Sequence, residues 1–150
     1  MANKAWVCRA CLRWHNPPRD PITGKRSKPT ECMGADANPP CHSRLFLHFD
    51  SQVEGRHFMQ LIQLERAGRV RGMVHHPRFE LVTVNPDRML QVVGLYVADV
   101  AYEWLPDNQQ EWVYRVDDVK PRSDQALDPL FVWKRRHFEA QTGLTITLIQ

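Results

Sequence analysis

The chain has 150 residues, 43% of them hydrophobic and 25% charged, with a formal net charge of +3, which is enough apolar content to bury a core. No apolar run reaches the length needed to span a bilayer, and Met1–Ala5 lacks the hydrophobic stretch of a signal peptide, so a soluble cytoplasmic protein without a membrane partner is expected. The charge is uneven: residues 1–50 carry eight Lys/Arg against four Asp/Glu and residues 51–150 twelve against thirteen, so the basic surplus falls in the N-terminal part, as suits an approach to a polyanion.

That N-terminal part, residues 1–48, holds all four cysteines and six of the eleven prolines, with little periodicity. Cys8-Arg9-Ala10-Cys11 has the spacing of a knuckle, and Cys32 and Cys41 follow. In a reducing compartment such cysteines serve as metal ligands more often than as disulfides, and four thiolates suit tetrahedral Zn²⁺. A loop-rich segment without a core needs such a staple to fold. The second pair is spaced more widely than usual, which leaves His15 or His42 as substitutes for one cysteine, and free thiols or a redox Cys8/Cys11 pair as alternatives. The expectation is a zinc-ribbon-like module on Cys8, Cys11, Cys32 and Cys41. Lys25, Arg26 and Lys28 lie on the Pro-rich loop between the cysteine pairs, placed to reach a nucleic-acid backbone. Trp6 and Trp14 read as packing residues beside the knuckle.

Asp50-Ser51-Gln52-Val53-Glu54 opens a helix running to about Ala67 and closing at Gly68, with Phe58, Leu61 and Ile62 on its apolar stripe. Ser51-x-x-Glu54 is a capping box. Val70–His75 and Phe79–Val84 read as strands separated by Pro77, and Asn85-Pro86-Asp87 as a turn. Val92–Glu103 and Trp112–Val119 read as the arms of a long hairpin around Leu105–Gln110. Pro121–Asp124 reads as loop. Asp128 as N-cap, with Pro129 at the first helical position, opens a second helix ending at Gly143. Leu144–Leu148 alternates as a last strand. Residues 49–150 are thus expected to form one α/β domain.

Two of these strands carry carboxylates that a buried strand does not hold without a reason. A hairpin symmetric about the Asn108–Gln109 bond sets Asp99 opposite Asp118, and Lys120, two residues on, projects from the face of Asp118. Two carboxylates held together repel unless a proton or a cation sits between them, and hard divalent cations take oxygen ligands. A lysine beside such a site orients a water or stabilises developing negative charge. The bland alternative is a strand-edge salt bridge between Asp118 and Lys120. Asp117 is three residues from Lys120 and faces away from it.

The order of Ser51–Glu54 at a helix start, Pro77–Leu81, Tyr96-Val97-Ala98-Asp99, Val116-Asp117-Asp118-Val119-Lys120 and the basic Lys134-Arg135-x-x-Phe138-Glu139 helix resembles the PD-(D/E)XK nuclease superfamily. More narrowly, it is similar to the small phage-encoded, Holliday-junction-resolvase-like endonucleases. The superfamily's proline before the first aspartate is Ala98 here. The resemblance implies a restriction-endonuclease-like core, a mixed sheet flanked by helices, beside the zinc module. It further implies Asp99, Asp118 and Glu54 as ligands of Mg²⁺ or Mn²⁺ and Lys120 as the catalytic lysine. The charge run with Lys134 and Arg135 reads either as a solvated helix face or, because the helix follows the D-x-K strand directly, as cations near the site that meet phosphates. The expected activity is metal-dependent DNA endonuclease cleavage, with branched DNA as the substrate by resemblance. Resolvases act as dimers so that two strands are cut together, so the resemblance allows a homodimer, although no sequence feature marks an interface. The second reading is a non-catalytic zinc-ribbon adaptor that binds nucleic acid beside a vestigial nuclease core.

Overall fold

The computed structural model describes residues 5–15, 19–32, 41–120 and 128–150. The loop expected at Pro121–Asp124 lies outside them. The chain divides into two compact units, Met1–Gln60 and Leu61–Gln150, so the division falls inside the first long helix rather than before it.

In the first unit, strands β1 (Ala5–Cys8), β2 (Trp14–His15) and β3 (Phe46–Phe49) form an antiparallel sheet in the order β2-β1-β3. Every residue of β1 is buried, as suits the strand at the centre of the sheet; Trp6 packs against His48, and His15 lies edge-on to Phe46. Helix α1 (Gln52–Arg66) follows. Its capping box is formed: Ser51 Oγ accepts from the Glu54 amide at 3.1 Å, and Glu54 Oε2 accepts from the Asp50 amide at 3.0 Å. Phe58 packs on Phe49. The Trp14 ring lies directly on Gly55, where a Cβ would come within 2.4 Å of its Cη2.

The second unit contains β4 (Val70–His75), β5 (Arg78–Val84), β6 (Leu90–Val97), β7 (Val100–Trp104), β8 (Val113–Val119), α2 (Pro129–Thr142) and β9 (Ile146–Ile149). β4-β7-β8-β9 form a mixed sheet in that order, with β9 parallel to β8, as α2 between them allows. β5 and β6 pair as a separate two-stranded ribbon. α2 is capped at both ends: Asp128 Oδ1 accepts from the Leu130 amide, Pro129 opens the first turn, and Gly143 closes it at φ 72°. Phe138 of α2 joins Leu81, Tyr96, Ala98, Ala101, Val116 and Ile146 in the core.

The long arm expected over Val92–Glu103 is two strands. β4–β5 and β6–β7 run as one antiparallel ribbon that breaks at His76-Pro77 on one side and Ala98-Asp99 on the other. The ladder continues through the break by two bonds, His76 N–H to Asp99 O (3.0 Å) and Ala98 N–H to Pro77 O (3.2 Å). Pro77 has no N–H to give and His76 takes φ 52°, so the ribbon bends and its two halves enter different sheets. Asp99 stands at that bend. The β7–β8 register pairs Val100 with Asp117 and Ala101 with Val116, the register of a hairpin symmetric about Asn108–Gln109.

Candidate metal centre and carboxylate site

The four cysteines converge. β1 delivers Cys8, the tight turn after it delivers Cys11, and the bond from the Cys32 amide to Ser43 O brings the later pair together. All four sulfurs lie within 4.8 Å of one another, with Cys8–Cys41 at 3.7 Å and Cys11–Cys32 at 3.4 Å. The thiols are free, and a tetrahedron of ~2.3 Å Zn–S bonds has an edge of roughly 3.8 Å, so the donor set fits a tetrahedral soft-metal site such as zinc. Burial pushes the Cys8 thiol up, yet the amides of Cys11 and Ala10 aimed at its sulfur outweigh that and bring it down to about 6. Burial and the neighbouring sulfurs push Cys32 up to about 12. His42 is turned to Glu31, Nδ1 to Oε1 at 2.7 Å. His15 Nε2 contacts the Cys32 sulfur at 3.1 Å, so it stands behind a ligand, and neither histidine is needed to complete four.

In the second unit the sheet brings Asp99, Asp118 and Lys120 to one place. Asp118 is 2% exposed. Its Oδ2 accepts from the Tyr96 hydroxyl at 2.7 Å, and its Oδ1 receives the Lys120 ammonium. Lys120 Nζ also lies 4.1 Å above the Phe131 ring of α2, so the lysine is held between a carboxylate and an aromatic face. Asp99 Oδ2 accepts from the Val119 amide at 2.6 Å, tying the bend of the ribbon to the strand that carries Asp118. The neighbouring Asp117 points to the opposite face, where Tyr102 donates to it at 2.7 Å. Burial first, and then the adjacent carboxylate, pushes both phenols above the ordinary tyrosine range, so they remain hydrogen-bond donors.

The other candidates are placed as follows. Glu54 is buried in the first unit, in the capping box. Lys25 and Lys28 are exposed and Arg26 is half-buried, in a bridge with Arg19. On α2, Lys134 is half-buried, whereas Arg135 is committed internally, to Glu139 at 2.9 Å and to Ile146 O at 3.3 Å. Tyr96 and Phe131 were not singled out from the sequence as site residues. The one available signal was that a tyrosine in a buried strand needs a partner for its hydroxyl. No helix is long and apolar enough to cross a membrane among the described residues. No family model, curated protein or solved structure matches the chain.

Proposed function

We propose that the chain is a Mg²⁺- or Mn²⁺-dependent DNA endonuclease with a zinc-bound N-terminal module, of the PD-(D/E)XK type and directed at branched DNA. The observation that carries this reading is the meeting of Asp99, Asp118 and Lys120 at the bend of the ribbon. The order of elements around it, helix, strands, helix and parallel strand, supports the same reading. Asp99 and Asp118 offer hard oxygen donors of the kind Mg²⁺ takes, and a bound ion would neutralise charge at the scissile phosphate. Lys120 holds a positive charge at a fixed point between Asp118 and Phe131, where it orients an attacking water or meets a phosphate oxygen. Tyr96 keeps the Asp118 carboxylate in one rotamer. Lys25, Arg26 and Lys28 supply contacts to the DNA backbone, as does Lys134. Glu54, which the resemblance adds to the metal ligands, is engaged in the capping box of the first unit.

One observation favours the second reading, a non-catalytic nucleic-acid-binding adaptor: both oxygens of Asp118 already have protein partners, as a purely structural ion pair would. The deciding experiment is cleavage of four-way, flap and linear duplexes with Mg²⁺, beside an Asp118→Ala control. Cutting that needs Asp118 supports the nuclease. DNA binding with no Asp118-dependent cutting of any substrate leaves the adaptor.

A further inference from the structure

The loop between the two cysteine pairs is a built hairpin. Arg19 and Arg26 pair as an antiparallel bridge, and the Asp20 amide donates to Lys25 O while the Gly24 amide donates to Asp20 O, both at 2.8 Å. The turn is organised from within by one carboxylate oxygen: Asp20 Oδ1 accepts from the Ile22 amide (2.9 Å), the Thr23 amide (2.6 Å) and the Thr23 hydroxyl (2.9 Å). The hairpin's only acid is therefore turned inward, while Arg19, Lys25 and Lys28 are exposed. At its tip, next to Pro21, Ile22 is 92% exposed, the most exposed large hydrophobic residue among the described residues.

One feature of this hairpin adds nothing to its stability in isolation: a branched aliphatic side chain held in water gains nothing there. It gains against a polyanion that offers an apolar slot within a few ångströms of the exposed lysines, and stacked base steps flanked by phosphates are such a slot. A lipid surface is the poorer match, because binding there scales with apolar area and the tip offers only Pro21 and Ile22.

We infer that the Arg19–Arg26 hairpin is a DNA wedge: Ile22 inserts between base steps while the exposed Lys25 and Lys28 hold the phosphates beside it. Insertion costs stacking energy, least where a step is already open. The wedge thus selects nicked or branched duplex over continuous duplex. This rests on the reading of the chain as a DNA-binding protein and gives that reading a substrate-selecting residue.

The test uses the full zinc-loaded chain without added Mg²⁺, so that strands stay whole. The probes are a branched duplex carrying 2-aminopurine at the branch point and its continuous counterpart. Binding should raise the fluorescence of the branched probe, the sign of an unstacked base. Ile22→Ser, at a tip where no packing is lost, should abolish that rise and weaken binding to the branched probe about tenfold, while Ile22→Leu keeps both. If Ile22→Ser binds and unstacks like the wild type, the wedge is wrong and the nuclease reading stands. If the wild type binds neither duplex, the DNA reading fails and the wedge with it. Binding instead to phosphatidylserine vesicles, lost in Ile22→Ser, would assign the hairpin to a lipid surface.

Discussion

Tyr96 and Tyr102 grip adjacent aspartates of β8 by the same bond at the same length, one on each face of the sheet. This makes them matched probes. Tyr96→Phe and Tyr102→Phe each remove a donor from a buried carboxylate and should each cost about 1–3 kcal/mol of stability, read from urea midpoints. Only Tyr96→Phe should lower the cleavage rate, because only Asp118 carries Lys120; equal effects of the two on cleavage would mean the loss is one of folding. The same phenols set the alkaline limit of the fold. Their folded pKa values are raised above the unfolded value, so the unfolded chain releases protons that the folded one keeps, and stability falls as pH rises past about 10. Tyr114 is raised too, by burial and by Glu103. Phenolate absorbance should therefore appear together with loss of the near-UV signal rather than before it.

At the scale of elements, the helices were the most legible part of the sequence, because their ends are written in side-chain chemistry. Ser51 and Glu54 close one capping box, and Asp128, Pro129 and Gly143 bound the other helix. Asp128→Ala should cost about 1 kcal/mol, and Gly143→Ala, forced into the left-handed region at φ 72°, about 1–2 kcal/mol. Denaturation of the double mutant should show the two adding, since they lie at opposite ends of α2. The register of the β7–β8 hairpin was also legible, from a symmetric polar turn between apolar arms. The break at Ala98-Asp99 was not. Asp99 marks its own strand only as an apolar, β-prone run with a carboxylate in it, and the cause of the break, the missing N–H of Pro77 and the backbone of His76, sits on the opposite strand. Arg135 illustrates a further limit of sequence: a basic residue on a helix reads the same whether it meets phosphate or, as here, Glu139 and the backbone of β9.

For the molecule as a whole, the proposed metals fall one to each unit. Four sulfurs close the first unit, and elemental analysis should find about one zinc per chain. Chelation should strip amide-exchange protection from β1, β2 and β3, which surround the cysteines, while β7, β8 and β9 keep theirs; full protection everywhere after zinc loss would show that the thiols do not hold the fold. In the second unit, Asp99→Asn and Asp118→Asn should each cut cleavage by orders of magnitude, with the double mutant little worse than either, as for residues that act as one unit. Wild-type rates in both would end the nuclease reading. DNA binding, measured in parallel, should survive or tighten.

The paired aspartates of β8 have one more consequence, for folding fidelity. Asp117 and Asp118 are flanked by Val116 and Val119, so a slip of β8 by one residue in either direction would place a valine against one of the two tyrosine hydroxyls. One buried phenol would lose its acceptor whichever way the strand moved. The two acids thus act as a ratchet stop that holds the strand in frame, and they would do so with or without a reaction to catalyse.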